Sequence, residues 1–305
     1  MSVSGRDAYR DELTKLAFSN DKIICMEADL GGKNHSFQQN HPDRFLNLGI
    51  AELASVDMAA GLAEAGKIPF FSTFASFAAL RAAESVKLAM GYMEKNIKIV
   101  AAYGGVSGGW FGTTHHCLED IAIMQSFQNI RIACPHGEAE TRRVIQEAAL
   151  SEEPYYIRLS RNDGFESLER EEGRSCRDLI IERKEGIIPT LCLISIGEQA
   201  TELCNKIYAE QASIVHVHLC YVDSRSLKDV AFFLRAISDK ILVVEEHRAT
   251  GSSASYLALL LPKCRVYSHD CGEKWPIYGG THADVLDYLG FGLEPLQQQI
   301  RVIGG

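Results

Sequence analysis

Residues 44–65 read RFLNLGIAELASVDMAAGLAEA: a short apolar run, a turn at Gly49, an acid at Glu52, then a long stretch of helix-forming side chains. Strand, glycine turn and helix in that order make one βα unit, and the chain repeats the unit on both sides. Strands are predicted near Lys22–Asp29, Arg44–Gly49, Ile68–Thr73, Lys98–Tyr103, Ile130–Cys134 and Tyr155–Leu159, with helices over Ala51–Ala65, Ser76–Glu94, Leu118–Phe127 and Glu138–Leu150. From Asn162 to Gly186 the chain turns charged and poor in large apolar residues, which reads as a linker. A second alternating block follows, with strands near Leu191–Ile196, Ile214–Leu219, Ile241–Glu245 and Arg265–Ser268. Its helices are predicted over Gln199–Gln211, Leu227–Ile237, Ser253–Leu261, Ala283–Leu289 and Glu294–Ile300. The expected fold is α/β in two domains, residues 1–165 and 189–305 around a linker at 166–188, each a mainly parallel sheet with helices on both faces.

Bulk properties agree with two compact domains: 305 residues exceed what one core usually holds, about 250. A net charge of −9 without a Lys/Arg cluster argues against nucleic acid as a partner. No run approaches the ~18 apolar residues of a membrane span. Charged Arg6, Asp7 and Arg10 have no apolar core behind them, unlike a signal peptide, so a cytoplasmic address is expected. The nine cysteines form no C-x-x-C pair and read as buried free thiols rather than a zinc site or disulfide framework.

Three elements carry chemistry. In Gly49-Ile50-Ala51-Glu52 a carboxylate opens a helix at the carboxyl edge of a parallel sheet, where such sheets bind ligands. It also sits where an acid offsets the helix dipole. Thr73-Phe74-Ala75-Ser76-Phe77 places two rings three residues apart on one helical face, for packing or for a ligand. Residues 104–116, GGVSGGWFGTTHH, are too rich in glycine for a helix or central strand and form an irregular loop ending in paired histidines.

Together and in this order, Gly-Ile-Ala-Glu, Thr-Phe-x-x-Phe and Thr-His-His resemble the pyrimidine-binding domain of the transketolase and deoxyxylulose-phosphate synthase family. The resemblance runs from about Asp29 through Tyr156-Ile157-Arg158-Leu159-Ser160-Arg161, and the block after Leu191 is similar to the family's C-terminal domain. It implies a thiamine diphosphate enzyme. Glu52 matches the glutamate that contacts N1′ of the cofactor's aminopyrimidine, a place where a buried carboxylate can share a proton. Phe77 and Phe74 match rings that pack on the aminopyrimidine. His115 matches the histidine beside the substrate, a hydrogen-bond donor to a carbonyl or alkoxide. Arg161 matches an arginine that grips sugar phosphate, with Arg158 near it on the same strand; a carboxylate substrate or a surface ion pair would use Arg161 equally well.

Two positions depart from the sugar-using members. Phe111 stands where they have an aspartate that reads a donor hydroxyl, and Tyr103 where they have a histidine, so a less hydroxylated keto donor such as pyruvate, or an unusual aldehyde or ketone acceptor, is expected. The chain also lacks Gly-Asp-Gly followed by Asn, the family's element for magnesium and diphosphate; Asn162-Asp163-Gly164 lies in the linker and only echoes it. The resemblance therefore implies half a site, with no metal ligands of its own. Magnesium and diphosphate fall to a separate N-terminal subunit in a heterotetramer of two chains each. Glu245-Glu246-His247 reads as structural. The beta subunit of a 2-oxo-acid dehydrogenase and a non-catalytic scaffold subunit are the alternatives.

Overall fold

The structure, a computed structural model, describes residues 3–30, 35–161, 164–166, 168, 179–182, 184 and 186–304. Its first half runs α1 (Gly5–Ser19), β1 (Ile23–Glu27), α2 (Ser36–Asn40), β2 (Phe45–Asn47), α3 (Glu52–Glu64), β3 (Ile68–Phe74), α4 (Ala83–Val86), β4 (Lys98–Ala102), α5 (Asp120–Ser126), β5 (Arg131–Ala133), α6 (Gly137–Leu150) and β6 (Tyr155–Arg158). The second half runs β7 (Leu179–Glu182), β8 (Leu191–Ile196), α7 (Glu198–Glu210), β9 (Ile214–Leu219), α8 (Ser224–Leu234), β10 (Lys240–Glu245), α9 (Ser253–Leu260), β11 (Arg265–His269), α10 (His282–Leu289) and α11 (Leu293–Gly304). The first sheet has six parallel strands in the order β2-β1-β3-β4-β6-β5. In the second, β11-β10-β8-β9 are parallel and β7 closes the edge antiparallel to β9. Both sheets bury their strands on two faces, as β1, β4, β8 and β9 are buried at every residue.

The short helix α2 has no counterpart in the sequence reading, and three further elements differ from that reading. Helix α1 is absent from it; Ser4 caps this helix by accepting from Asp7 N–H at 3.2 Å, and Tyr9, Leu13 and Ala17, one turn apart, are buried in the core it shares with α6. The stretch that reads as one helix, Ser76–Glu94, is α-helical only at α4, with wide π turns over Phe77–Arg81 and Lys87–Tyr92. Strand β7 falls inside 166–188, the stretch that reads as linker; residues 167, 169–178, 183 and 185 of that stretch lie outside the described residues, as do Asn162 and Asp163. Seven of the eight described cysteines are buried and Cys264 is half-buried, all free. Among the described residues no helix is long and apolar enough to cross a membrane.

The segment just after β9 runs beside the edge strand β5 of the first sheet, where Cys134 N–H donates to Cys220 O at 2.7 Å and Val222 N–H to Ile132 O at 2.9 Å. Beside this seam, buried Glu140 of α6 accepts from His218 Nε2 of β9 at 2.7 Å and from His136 N–H at 2.8 Å. Burial works against its charge, yet His218 and Arg143 hold the Glu140 carboxyl down at about 2. His136, buried under Phe165 with Nε2 3.1 Å from Glu166 O, has its pKa pushed down to about 4, first by burial and then by His218.

A depressed histidine makes the fold acid-sensitive. From pH 6.5, the ordinary value, down to about 4, the unfolded chain binds a proton at His136 that the folded chain refuses. Stability should therefore fall through this window by on the order of 3 kcal/mol and stop falling from this source below it. The His136→Asn protein is expected to show a shallower decline of Tm between these pH values; an unchanged slope would remove His136 as the cause.

Candidate active site

Four strands of the first sheet deliver side chains to its carboxyl edge: Glu52 after β2, Phe74 at the end of β3, Tyr103 after β4 and Arg161 after β6. The turn ahead of Glu52 depends on Gly49, whose φ of +67° strains any side-chain-bearing residue. It lets the Asn47 carboxamide oxygen accept from Gly49 N–H at 3.1 Å and from Asp29 N–H at 3.3 Å. Glu52 then begins α3 with only 1 % of its surface exposed. Its two oxygens accept from Arg81 Nη1 at 3.2 and 3.0 Å. Arg81, on the first π turn, also lies 4.2 Å above the Phe77 ring centroid and is half exposed.

Through Arg81 this carboxylate is linked to an aromatic cluster that begins with the Phe77 ring. Phe74 and Phe77 meet edge-on at 5.5 Å, and His115 lies 5.3 Å from the first ring and 5.2 Å from the second. Phe111 stacks on His115 at 4.8 Å and 19°, and Tyr103 leans on Phe74 at 4.5 Å. The structure thus brings together Glu52, Phe74, Phe77, Tyr103, Phe111 and His115. His115 is held neutral: partial burial, then the nearby Arg81, lower its pKa. Its Nδ1 is 2.9 Å from Thr114 Oγ1, and in the tautomer where that hydroxyl donates the ring proton sits on Nε2.

Tyr103 has a φ of +59°, costly for a bulky residue and typical of functional sites. Burial raises its pKa against the pull of Arg161, Arg6 and Arg10, which keeps the phenol a hydrogen-bond donor. Arg161 spreads over two rings, 5.3 Å from Tyr103 and 4.9 Å from Trp110. Arg6 escapes the sequence reading because α1 does. Burial, and then Arg10, lower its pKa; its Nε is buried without a hydrogen bond among the described residues, and Asp7 lies 4.0 Å from that atom. Of the three guanidinium groups whose charge acts on Tyr103, Arg161 lies over its ring and Arg10 is committed to Glu27 at 2.7 Å.

Arg158 does not join this group. It is buried behind the glycine loop, where Nε donates to Asp120 Oδ2 at 2.8 Å and Nη2 to Glu246 O at 3.0 Å. His116 also faces inward, with both ring nitrogens buried and without a hydrogen bond among the described residues. No group of three or more His, Cys, Asp or Glu that could hold a metal occurs among the described residues.

The chain is similar to known proteins over most of its length. The family profile of the transketolase pyrimidine-binding domain matches residues 1–165. A protein of Methanocaldococcus jannaschii named as a transketolase C-terminal section is 31 % identical over 262 residues, 83 % of this chain and 80 % of that one. An apulose-4-phosphate transketolase subunit of Phocaeicola vulgatus is 29 % identical over 94 % of this chain and 93 % of its own. Among solved structures, a split-gene transketolase described as an inactive beta4 tetramer superposes with a TM-score of 0.82 at 27 % identity, covering 99 % of this chain and 98 % of that one. A family profile that matches more than half of the residues, together with a relative 31 % identical over 83 % of the chain, places this protein in the transketolase family.

Proposed function

We propose that this chain is the pyrimidine-binding subunit of a two-chain transferase that moves a two-carbon ketol or acyl unit from a keto donor to an aldehyde or ketone, with thiamine diphosphate shared between the chains. Membership of the family implies dependence on thiamine diphosphate. The observation that carries the reading is Glu52, an almost fully buried carboxylate joined through Arg81 to the Phe77 ring, which Phe74 meets edge-on. A ring nitrogen needs such an acid, and a flat heterocycle needs such walls, so these residues fit the aminopyrimidine. Thiamine diphosphate, when bound, supplies the carbanion chemistry. The protein side is placement: Glu52 shares a proton with the pyrimidine nitrogen, Phe77 and Phe74 hold the ring plane, and neutral His115 donates from Nε2 to a substrate oxygen. Arg161 and Arg6 take an anionic end of the substrate, phosphate or carboxylate. Phe111 favours a donor with few hydroxyls, since an apolar ring leaves a hydroxyl there unpaired, and Tyr103 replaces the histidine of the sugar-using members with a phenol.

Magnesium and the diphosphate are assigned to an N-terminal partner carrying Gly-Asp-Gly. The surface suits such a partner: Ile50, Leu53, Leu80, Leu88, Tyr92 and Met93, beside Glu52 on α3 and the irregular helix, are all more than 40 % exposed. A heterotetramer of two chains each would preserve a two-fold axis.

The test is calorimetric titration of thiamine diphosphate and magnesium into the isolated chain and into the complex that co-purifies from the native host. Tight binding is expected only with the second chain present. Equally tight binding to this chain alone would defeat the shared site, and no binding to the complex would make the chain a scaffold.

A further inference from the structure

The second sheet's domain reaches under the loop that carries Phe111 and His115. Glu246, one residue beyond β10, is buried at 5 % exposure, and its Oε1 accepts from Val106 N–H at 2.6 Å. The same oxygen is 3.0 Å from Nε2 of His282, which opens α10. His282 is itself fixed by a capping box, in which Asp284 N–H donates to Thr281 Oγ1 at 3.2 Å and Thr281 N–H to Asp284 Oδ2 at 2.8 Å. The loop is shaped to receive this carboxylate. Gly105 has a φ of +64°, and a Cβ there would overlap the Glu246 side chain; a Cβ on Gly104 would come within 2.7 Å of Arg158 Cγ. A second contact lies further along, where Gly280 N–H donates to Gly109 O at 3.2 Å.

We propose that Glu246 and His282 form a positioning pair that fixes the substrate-facing loop 104–116 from behind, through the Val106 amide, and so sets where Phe111 and His115 stand. This rests on the proposed role of those two side chains. The electrostatics support it: burial alone would neutralise both groups, but His282, Arg158 and the Val106 amide lower the Glu246 pKa, while Glu246 and Glu198 raise that of His282 against the nearby Arg158. His116 also faces the pair, inside the loop it holds. A charge-assisted hydrogen bond of this kind, far from water, holds its acceptor more firmly than a neutral one.

The pair is tested on the full chain by hydrogen exchange and on the co-purified complex by kinetics. Glu246→Ala removes the acceptor; Glu246→Gln keeps an oxygen for the Val106 amide; His282→Gln removes the charge partner and serves if the alanine protein does not fold. Glu246→Ala, or His282→Gln in its place, is expected to speed exchange of amides 104–116 roughly tenfold or more, with β1 unchanged. In the complex, kcat/KM for pyruvate or hydroxypyruvate should fall by about 10²-fold while thiamine diphosphate affinity stays within about twofold, and Glu246→Gln should recover most of the loss. Unaltered exchange in 104–116, or equal losses in cofactor affinity and turnover, would overturn the positioning role. A wild-type complex that binds no thiamine diphosphate would instead sink the proposed function, and the exchange experiment would still decide whether the pair holds the loop.

Discussion

Turnover of the assembled enzyme is expected to fall by about 10²–10⁴-fold in the Glu52→Gln protein, the range that general acid–base groups supply. The substitution changes one atom in a side chain that is 1 % exposed, so packing is preserved and the loss reports the proton. Glutamine can still accept from Arg81 but cannot exchange a proton with a ring nitrogen. Arg81, half exposed and already resting on the Phe77 ring, tolerates the lost charge by turning to water, so the change in Tm should be small. Steady-state rates and calorimetric affinity for thiamine diphosphate, measured on the same preparation, separate the two possibilities. A fall in rate with affinity largely kept identifies Glu52 as the proton-sharing group; unchanged turnover would leave the chain a scaffold.

Phe111→Asp should change which donor is used. The ring lies flat on His115 at 4.8 Å, where it presents no acceptor to a hydroxylated substrate. A carboxylate at that position would pair with a donor hydroxyl, and sites that hydrogen-bond a hydroxyl discriminate far more steeply than apolar ones. The ratio of kcat/KM for a ketose phosphate over pyruvate is expected to rise by about 10²-fold or more, and further when Tyr103→His is added. Competition between the two donors in one reaction gives this ratio directly. A ratio unmoved by either substitution would place donor recognition elsewhere in the complex.

The sheet edge that carries the proposed chemistry is legible in the sequence from its strand ends, while the roles given to its residues come from the family resemblance. Gly49 before Glu52, Thr73 before Phe74 and the glycine run after Tyr103 mark the same sheet edge, and local spacing suffices to find it. What escapes needs information from afar. Arg81 meets Glu52 across 29 residues through a π turn, and the small residues Ala78, Ala79 and Ala82 give no periodicity that distinguishes wide turns from α-helix. Glu246 reaches Val106 across 140 residues, so Glu245-Glu246-His247 reads in sequence as structural with no partner that can be named. Arg6 was within reach: Ser4 with Asp7 three residues on is a helix cap, and Tyr9, Leu13 and Ala17 follow at helical spacing. Arg158 misleads for the opposite reason, since a strand-end arginine looks the same in sequence whether it faces a ligand or a buried Asp120.

Strand β7 has a practical bearing on how the chain is divided. Its pairing, Leu179 with Leu219 through Glu182 with His216, saturates the outer hydrogen-bonding row of β9. Trimming the molecule at residue 189 would strip that row bare along a strand buried on both faces, the geometry that recruits foreign strands and seeds insoluble material. Fragments of the second half should stay dispersed when they begin ahead of residue 179 and precipitate when they begin after 182, so a stretch that looks like spacer acts as the guard on a sheet edge.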